Sequence, residues 1–485
     1  MTNHKCLRLP ARAVTCTLIF AMAGACTPAE PPADAAAEPG AATVDLIVEG
    51  DYIVTMDENQ AVVKVGAVAI KDGVIVSLGS AADISQKHVA TETLSGENRI
   101  VMPGLINGHS HAAMTLLRGV ADDLALMDWL NNYIFPAEVE FVDAEFVRIG
   151  TELACWEMIR GGTTMFVDMY YYPDVIAQVV ESCGLRAMVS ATVIDQRSPD
   201  AEDAGDSIRK GIEFVGRWKG RNSRIMPIFG PHANYTLNAD QLKRTRAAAN
   251  DAGVSISIHM SESPFEVQYS RDTYGMTSIE FFESIGFLDG PTIAAHVVWP
   301  TAAEIPVLVE RNVGVIHNPT SNMKIASGIS PVADMLRAGV RVGLGTDGAA
   351  SNNDLDMWEE MRLAAFLQKV DRMDPEVLPA PTVLAMATRG GAEAIGLGEM
   401  IGALAVGMKA DLIQVSFDDV HFVPTYDVIS HLVYVADEQD VATLIVDGKV
   451  LMRDKQILTI DTPRVAREAR ELARRIQAGL AERNP

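Results

Sequence analysis

Cysteine is scarce in this chain. Its 485 residues hold five, and Cys6, Cys16 and Cys26 fall within the first 26 positions. Only Cys155 and Cys183 remain for the body of the protein, and nothing in the sequence demands that they pair. No disulfide framework holds this protein together. Positive charge is also in short supply, with 40 Lys and Arg against 64 Asp and Glu, a net charge of −24. A polyanion would be repelled, and no basic cluster reverses that sign locally, so nucleic acid is excluded as a partner. The apolar run Ala13–Met22 is too short to cross a bilayer as a helix. Hydrophobic residues at 48% and charged residues at 21% are ordinary for a globular protein of one large and one smaller domain.

The first 26 residues are a separate object. Lys5, Arg8 and Arg12 precede the apolar run, and the small residues Ala23-Gly24-Ala25 follow it. That layout predicts a secretory signal over 1–25. Small residues before Cys26 resemble a bacterial lipobox, although Ala23 stands where Leu or Val is usual. The expectation is an exported lipoprotein on the periplasmic face of a bacterial membrane, anchored by lipid on Cys26. The alternative is plain secretion to the periplasm or beyond. The Pro, Ala and Glu of Thr27–Ala42 predict an unfolded tether over 26–43.

Short β runs with turn signals fill 44–100 and recur in 405–461. They include Asp45–Glu49, Tyr52–Met56, Ala67–Lys71, Asp411–Val415, His431–Val435 and Val441–Val446, with Gly50-Asp51, Asp72-Gly73 and Asp447-Gly448 between them. Two β-rich ends predict one small β domain assembled from both termini. A charged amphipathic helix is expected over 462–485. Between the β segments, over 101–404, the rhythm is strand, loop, long helix. Candidate strands are Val101–Asn107, Thr164–Met169, Arg186–Thr192, Arg224–Phe229, Ser255–Met260, Thr292–His296, Val313–His317 and Arg341–Thr346. Eight such repeats predict a (β/α)8 barrel. A doubly wound sheet is the rival, but no Gly-x-Gly-x-x-Gly follows the first strand.

Polar residues gather at the C-terminal ends of those strands. His109, His111, Asp168, His232, His259, His296, His317 and Asp347 all fall there, and they include six of the ten histidines. That face carries the sites of barrel enzymes. In extended backbone, His109 and His111 point to the same side, so two imidazoles can converge on one cation. The bland reading of a lone His-x-His is two solvated or core histidines. With His259 and Asp347 at later strand ends, a shell of three histidines and one carboxylate becomes available. Neither Arg186–Asp195 nor Arg224–Phe229 contains the lysine that a carbamylated two-metal site would need, so one divalent ion is expected. Zinc is the first expectation, and ferrous iron suits the same donors. Such an ion lowers the pKa of its water. Glu262, three residues after His259, is the natural general acid/base; its bland reading is a glutamate at a helix N-terminus. His296 and Asp347 are placed to orient and deprotonate the water.

The run Pro103-Gly-Leu-Ile-Asn-Gly-His-Ser-His111, with His259, His296, Gly345-Thr-Asp347 and the flanking β segments, resembles the amidohydrolase superfamily from Val44 to about Asp461. The resemblance implies a distorted (β/α)8 barrel with a small β-sandwich formed by N- and C-terminal segments. Finer motifs are Ala112–Gly119, Asp128-Trp-Leu130, Phe135-Pro-Ala-Glu138, and Gly345–Asp356 running into Glu359-Glu-Met-Arg362. These resemble the 5′-methylthioadenosine/S-adenosylhomocysteine deaminases.

That resemblance implies metal binding by His109, His111, His259 and Asp347. It implies that Glu138 contacts ribose hydroxyls, and that His232 and Glu262 contact the base. Glu262 would protonate a ring nitrogen, and Asp347 would pass a proton toward departing ammonia. Trp129 walls the pocket or is a plain core residue. The resemblance is weaker after the third strand, where only Arg197 offers a cation for a homocysteine carboxylate. The expected substrate is 5′-methylthioadenosine, S-adenosylhomocysteine or adenosine, and the expected assembly is a homo-oligomer. Rival substrates are a bare guanine, pterin or chlorotriazine, and a non-catalytic barrel is the rival class. The zinc cytidine-deaminase route needs His-x-Glu and Pro-Cys-x-x-Cys, and neither occurs.

Overall fold

Two Asp-Gly pairs set the geometry of the smaller sheet. Asp72-Gly73 and Asp447-Gly448 both carry positive φ at both positions, the left-handed pair that a two-residue hairpin turn requires. The first joins Val62–Lys71 to Val74–Ser80, and the second joins Val441–Val446 to Lys449–Arg453. The computed structural model describes residues 41–483. The leader 1–25, Cys26 and the tether as far as residue 40 lie outside the described residues, and strand Ala42–Val54 takes up the tether's last two positions.

The terminal segments build one nine-stranded mixed sheet. Strand Arg99–Pro103 lies parallel to Ala42–Val54 on one side and antiparallel to Leu412–Ser416 on the other, and so joins the two ends of the chain. Leu46, Val48, Ile53, Val68, Ile75, Val101, Leu412 and Ile445 share a core on one side of it. Two sequence expectations change here. Gly50-Asp51 is not a turn, because Ala42–Val54 runs straight through it. Glycine is needed there because a Cβ on Gly50 would sit 2.8 Å from Val101 Cγ2 and 2.9 Å from Tyr52 O. His431–Val435 is not a strand either. Asp427 caps the backbone N–H groups of Ile429 and Ser430 and starts the helix Val428–Tyr434, and a capped apolar stretch of this length forms a helix as readily as a strand.

The (β/α)8 expectation holds. Eight parallel strands follow one another in chain order: Leu105–Ser110, Thr163–Tyr170, Arg186–Val193, Ile225–Pro231, Ile256–Met260, Thr292–His296, Gly314–His317 and Arg341–Leu344. Five of the eight are buried at every position, and the other three at all but one, the half-buried Thr192, Met226 and Arg341, as expected where helices cover the outer face of a parallel sheet. The sequence-read strand Val101–Asn107 is in fact two strands in two sheets. The chain changes sheets at Gly104, whose N–H donates to Asp411 O and whose missing Cβ would otherwise sit 2.1 Å from the Thr164 side chain.

The seam between the last and first barrel strands is closed differently from the rest. Asn107 Nδ2 donates to Thr346 Oγ1 (2.7 Å), Thr346 N donates to Asn107 Oδ1 (3.1 Å), and Asp347 N donates to His109 O (3.0 Å). One asparagine side chain thus stands in for part of a ladder. Over the C-terminal mouth lies a helical segment, Leu126–Trp129, then a π turn Leu130–Ile134, then Phe135–Phe141. Single π turns of this kind recur at functional sites. The tail helix Thr462–Arg483 packs on Ala144–Gly161, with Arg464 held by Glu152 and Arg148 by Glu468.

Candidate active site

His109 ends its strand fully buried, and neither ring nitrogen makes a hydrogen bond. Its Nε2 lies 3.3 Å from Asp347 Oδ1. His111 Nε2 lies 3.1 Å from the same oxygen and 3.3 Å from His259 Nε2. His109, His259, His296 and Asp347 bring one donor atom each within 4.8 Å of one another. Three of the four residues read from the sequence therefore converge with His296, and His111, outside that set, approaches two of its members. His317 is buried without a partner for either nitrogen and is not among them. Asp168 also stays outside. Its Oδ1 accepts from Ala112 N (2.6 Å), which pins the turn after His111.

Backbone carbonyls select the tautomers. His111 Nδ1 donates to Met169 O (2.5 Å) and His259 Nδ1 to His232 O (2.8 Å). His296 Nδ1 lies 2.8 Å from Asn322 Oδ1 and 3.2 Å from Asn318 Nδ2. A backbone carbonyl only accepts, so His111 and His259 each carry a proton on Nδ1 and turn Nε2 toward the cluster, the orientation that metal-binding histidines use. Asp347 is treated in the same way. Ser321 Oγ (2.7 Å) and Ser351 Oγ (2.8 Å) donate to its Oδ2 and leave Oδ1 aimed at the imidazoles. Orphaned Nε2 atoms on His109 and His296 and the orphaned Asp347 Oδ1 are all buried. Buried polar atoms without partners are costly, and a divalent cation would satisfy all three, so the residues fit a metal ion.

Two residues in this cluster hold positive φ, His296 at 75° and Asp347 at 61°, a strained state that persists only where surroundings impose it. Gly345 makes room for the second: a Cβ there would sit 2.6 Å from Asn318 Oδ1 and 2.8 Å from His109 N.

Burial pushes His109 down to about 4 and His232 down to about 3, the latter helped by neighbouring imidazoles. Burial also works against the charged form of His111, but the Asp347 carboxylate outweighs it and raises His111 to about 9. Burial opposes Asp347's charge too, yet the His109 and His111 contacts hold the carboxyl well below its ordinary range.

The cluster opens into a pocket lined by His111, His232, His259 and Asp347, and also by Glu138 and Glu262. Burial raises the carboxyl of Glu262, whose Oε1 lies 3.8 Å from His296 Nε2. Glu262 is held by its own backbone: Glu266, fully buried, accepts from Ser261 N and Glu262 N at 2.8 Å each. Glu138 comes from the helix over the mouth and accepts from Tyr171 OH (3.2 Å). Burial moves its carboxyl up to about 7, with Tyr170 and Tyr171 pulling the other way. Leu126, Trp129, Leu130, Ile134 and Phe135 make an apolar wall, which places Trp129 in the pocket. Arg197 is not in the lining; its side chain is 76% exposed, 3.8 Å from Glu202.

Asn107, Ser321, Ser351, Asn322, Tyr170, Tyr171 and Glu266 were not singled out from the sequence. Ser351 stands four residues after Asp347 and Glu266 four after Glu262, spacings that hint at a local contact. No comparable signal marks Ser321 or Asn322.

Imidazoles and a carboxylate converging at the C-terminal mouth of a (β/α)8 barrel, beside a buried glutamate, define a metal-binding barrel hydrolase. The amidohydrolase family profile matches residues 100–451, and the chain belongs to that family. It is 46% identical over 430 residues to the 5′-deoxyadenosine deaminase of Methanosarcina barkeri, spanning 88% of this chain and 98% of that protein. It is 45% identical over 432 residues to a 5-methylthioadenosine/S-adenosylhomocysteine deaminase of Desulforudis audaxviator, spanning 89% and 99% of the two. Among solved structures, an adenosine deaminase from Xanthomonas campestris with bound zinc superposes with a TM-score of 0.88 at 38% identity, covering 90% of this chain and all of that one.

Proposed function

We propose that this protein hydrolyses the amino group from the adenine ring of a nucleoside, releasing ammonia and leaving the inosine form. One observation carries the reading: Glu138 and Glu262, two buried carboxylates, line the same pocket as the imidazole and Asp347 cluster. The named activities of the relatives support it. His109, His111, His259 and Asp347 would hold one divalent ion, zinc or ferrous iron. His296, whose Nε2 also faces Glu262, would orient the attacking water. The ion's contribution is to lower the pKa of a water molecule so that hydroxide is available near neutral pH. Glu262, whose carboxyl burial raises, donates to the ring nitrogen. Asp347, steadied at Oδ2 by two hydroxyls, returns a proton to the leaving amine. Glu138 accepts from the ribose hydroxyls, a task that a bare base would leave undone.

Among the described residues no lysine or arginine lines the pocket. A carboxylate brought there would lose water without gaining a guanidinium partner. This supports a neutral 5′ group (hydroxyl, hydrogen or methylthio) over the charged homocysteine end.

The test is a panel followed at the adenine absorbance change, using protein with its metal content measured. Adenosine, 5′-deoxyadenosine, 5′-methylthioadenosine and S-adenosylhomocysteine are compared beside guanine and a chlorotriazine. The expected outcome is one metal ion per chain and turnover of the three neutral nucleosides. The kcat/KM for S-adenosylhomocysteine is expected to be at least about tenfold lower, the equivalent of one unmade charged hydrogen bond. Turnover of a bare base with every nucleoside untouched overturns the reading. Preference for S-adenosylhomocysteine overturns only the 5′ assignment.

A further inference from the structure

Cys155 lies in the helix Ala144–Gly161, and Cys183 is the last residue of Pro173–Cys183. Both are buried, at 0% and 2% exposure. The Cys183 thiol donates to Cys155 Sγ across 3.0 Å, so the two side chains are aimed at each other. Both are free thiols in this structure. Closing to a bonded length of roughly 2.05 Å asks for a shift of only about 1 Å. The chain between them contains the second barrel strand Thr163–Tyr170 and Tyr171, which bonds Glu138. A link at this point would therefore tie helix, strand and helix into one closed loop beneath the substrate pocket.

We propose that Cys155 and Cys183 form a disulfide-bonding pair, closed by exchange with a disulfide-bearing oxidant as the chain packs. One thiolate attacks the oxidant's disulfide, forming a mixed disulfide and releasing the first oxidant thiol. The second cysteine then attacks the mixed disulfide at the protein sulfur, forming the Cys155–Cys183 bond and releasing the second thiol. The two protein thiols lose two electrons and two protons, and the oxidant's two sulfurs gain both. Exchange needs a thiolate and access. In the folded protein, the Cys183 contact and burial hold the Cys155 thiol well above its ordinary range. The step therefore belongs to the stage before this core closes, and the bond is shielded from reductants afterwards. The inference stands apart from the deaminase reading, since it concerns helices below the pocket.

The experiment uses the full chain, reduced and unfolded, then refolded either with oxidised and reduced glutathione or with dithiothreitol. Each product is denatured, alkylated with iodoacetamide and cut with trypsin. Cleavage after Arg148, Arg160 and Arg186 separates the two cysteines. After oxidative refolding the expected result is a linked peptide pair containing Cys155 and Cys183, lighter by two hydrogens than the sum of its parts. The link is expected to survive dithiothreitol in native buffer and to open in denaturant. The oxidised protein is expected to melt about 5 °C above the reduced one, from closing a loop of this span. The change Cys155→Ala with Cys183→Ala is expected to remove that difference. Alkyl label on both cysteines after oxidative refolding overturns the proposal. So does either one linked to Cys6, Cys16 or Cys26.

Discussion

At Glu138 a carboxylate is only 4% exposed, and burial raises its carboxyl to about 7 from an ordinary 4.5. The folded chain therefore binds this proton more tightly than the unfolded chain does. Between pH 4.5 and 7 the folded state holds more protons, so this group lowers stability progressively as pH rises through that window. Replacing it with glutamine removes the effect and also removes an acceptor for ribose. For Glu138→Gln, KM for adenosine is expected to rise about tenfold to a hundredfold, the scale of a lost charged hydrogen bond, with metal content unchanged. In melts at a series of pH values, the variant's Tm relative to the parent is expected to climb from about pH 5 to 7 and then level off. A difference flat with pH would remove the carboxylate from this account. The motif Phe135-Pro-Ala-Glu138 made the residue visible in sequence. Its tyrosine partners were not visible, because Tyr170-Tyr171-Tyr172 gives no sign of which rings turn inward.

Among the elements, the seam between Leu105–Ser110 and Arg341–Leu344 joins the two ends of the metal cluster. Asn107 bridges it, and Gly345 allows the last strand to run against His109 N and Asn318. Backbone cannot step aside as a flexible side chain can, so Gly345→Ala forces the strands apart where His109 and Asp347 must meet. The expected cost is on the order of 1–3 kcal/mol, read as a lower Tm, together with bound metal well below one ion per chain. Full metal content in this variant would show that the seam has slack. Seven of the eight barrel strands were legible as apolar runs, because burial on both faces writes itself into composition. The first was misread as one strand, since an apolar run does not say which sheet it joins. His431–Val435 is too short for its period to separate strand from helix, and the cap at Asp427 decides it for helix.

The two sheets are tied by a buried ion pair on the side away from the site. Arg186, at the start of the third barrel strand, grips Asp411 through Nε (2.6 Å) and Nη2 (3.0 Å), both residues essentially unexposed. Asp447 N also donates to Asp411 Oδ1 (2.7 Å), so the carboxylate anchors a hairpin of the small sheet as well. Arg186→Met leaves that carboxylate buried without its partner. The expected loss is about 3–5 kcal/mol, seen in denaturant or thermal unfolding, while metal content and KM stay near those of the parent below the transition. If activity falls with stability unchanged, the pair serves the site rather than the joint between sheets.

The sequence by itself marked the candidate side chains for the chemistry and set them at strand ends. It also determined that both termini supply the small sheet. Alternation, turn residues and the His-x-His spacing are local properties, set by neighbours along the chain. Tertiary structure decided which donors converge, bringing His296 to the cluster and leaving His317 outside it. It also fixed the Nδ1 proton of His111 and His259 through Met169 and His232, closed the barrel with Asn107, and raised Glu138 by burial. Each of these depends on groups tens to hundreds of residues apart, whose meeting is a result of packing. The His109 and His111 pair shows both limits: its spacing announces a cation site, and only the fold supplies Asp347 to complete it.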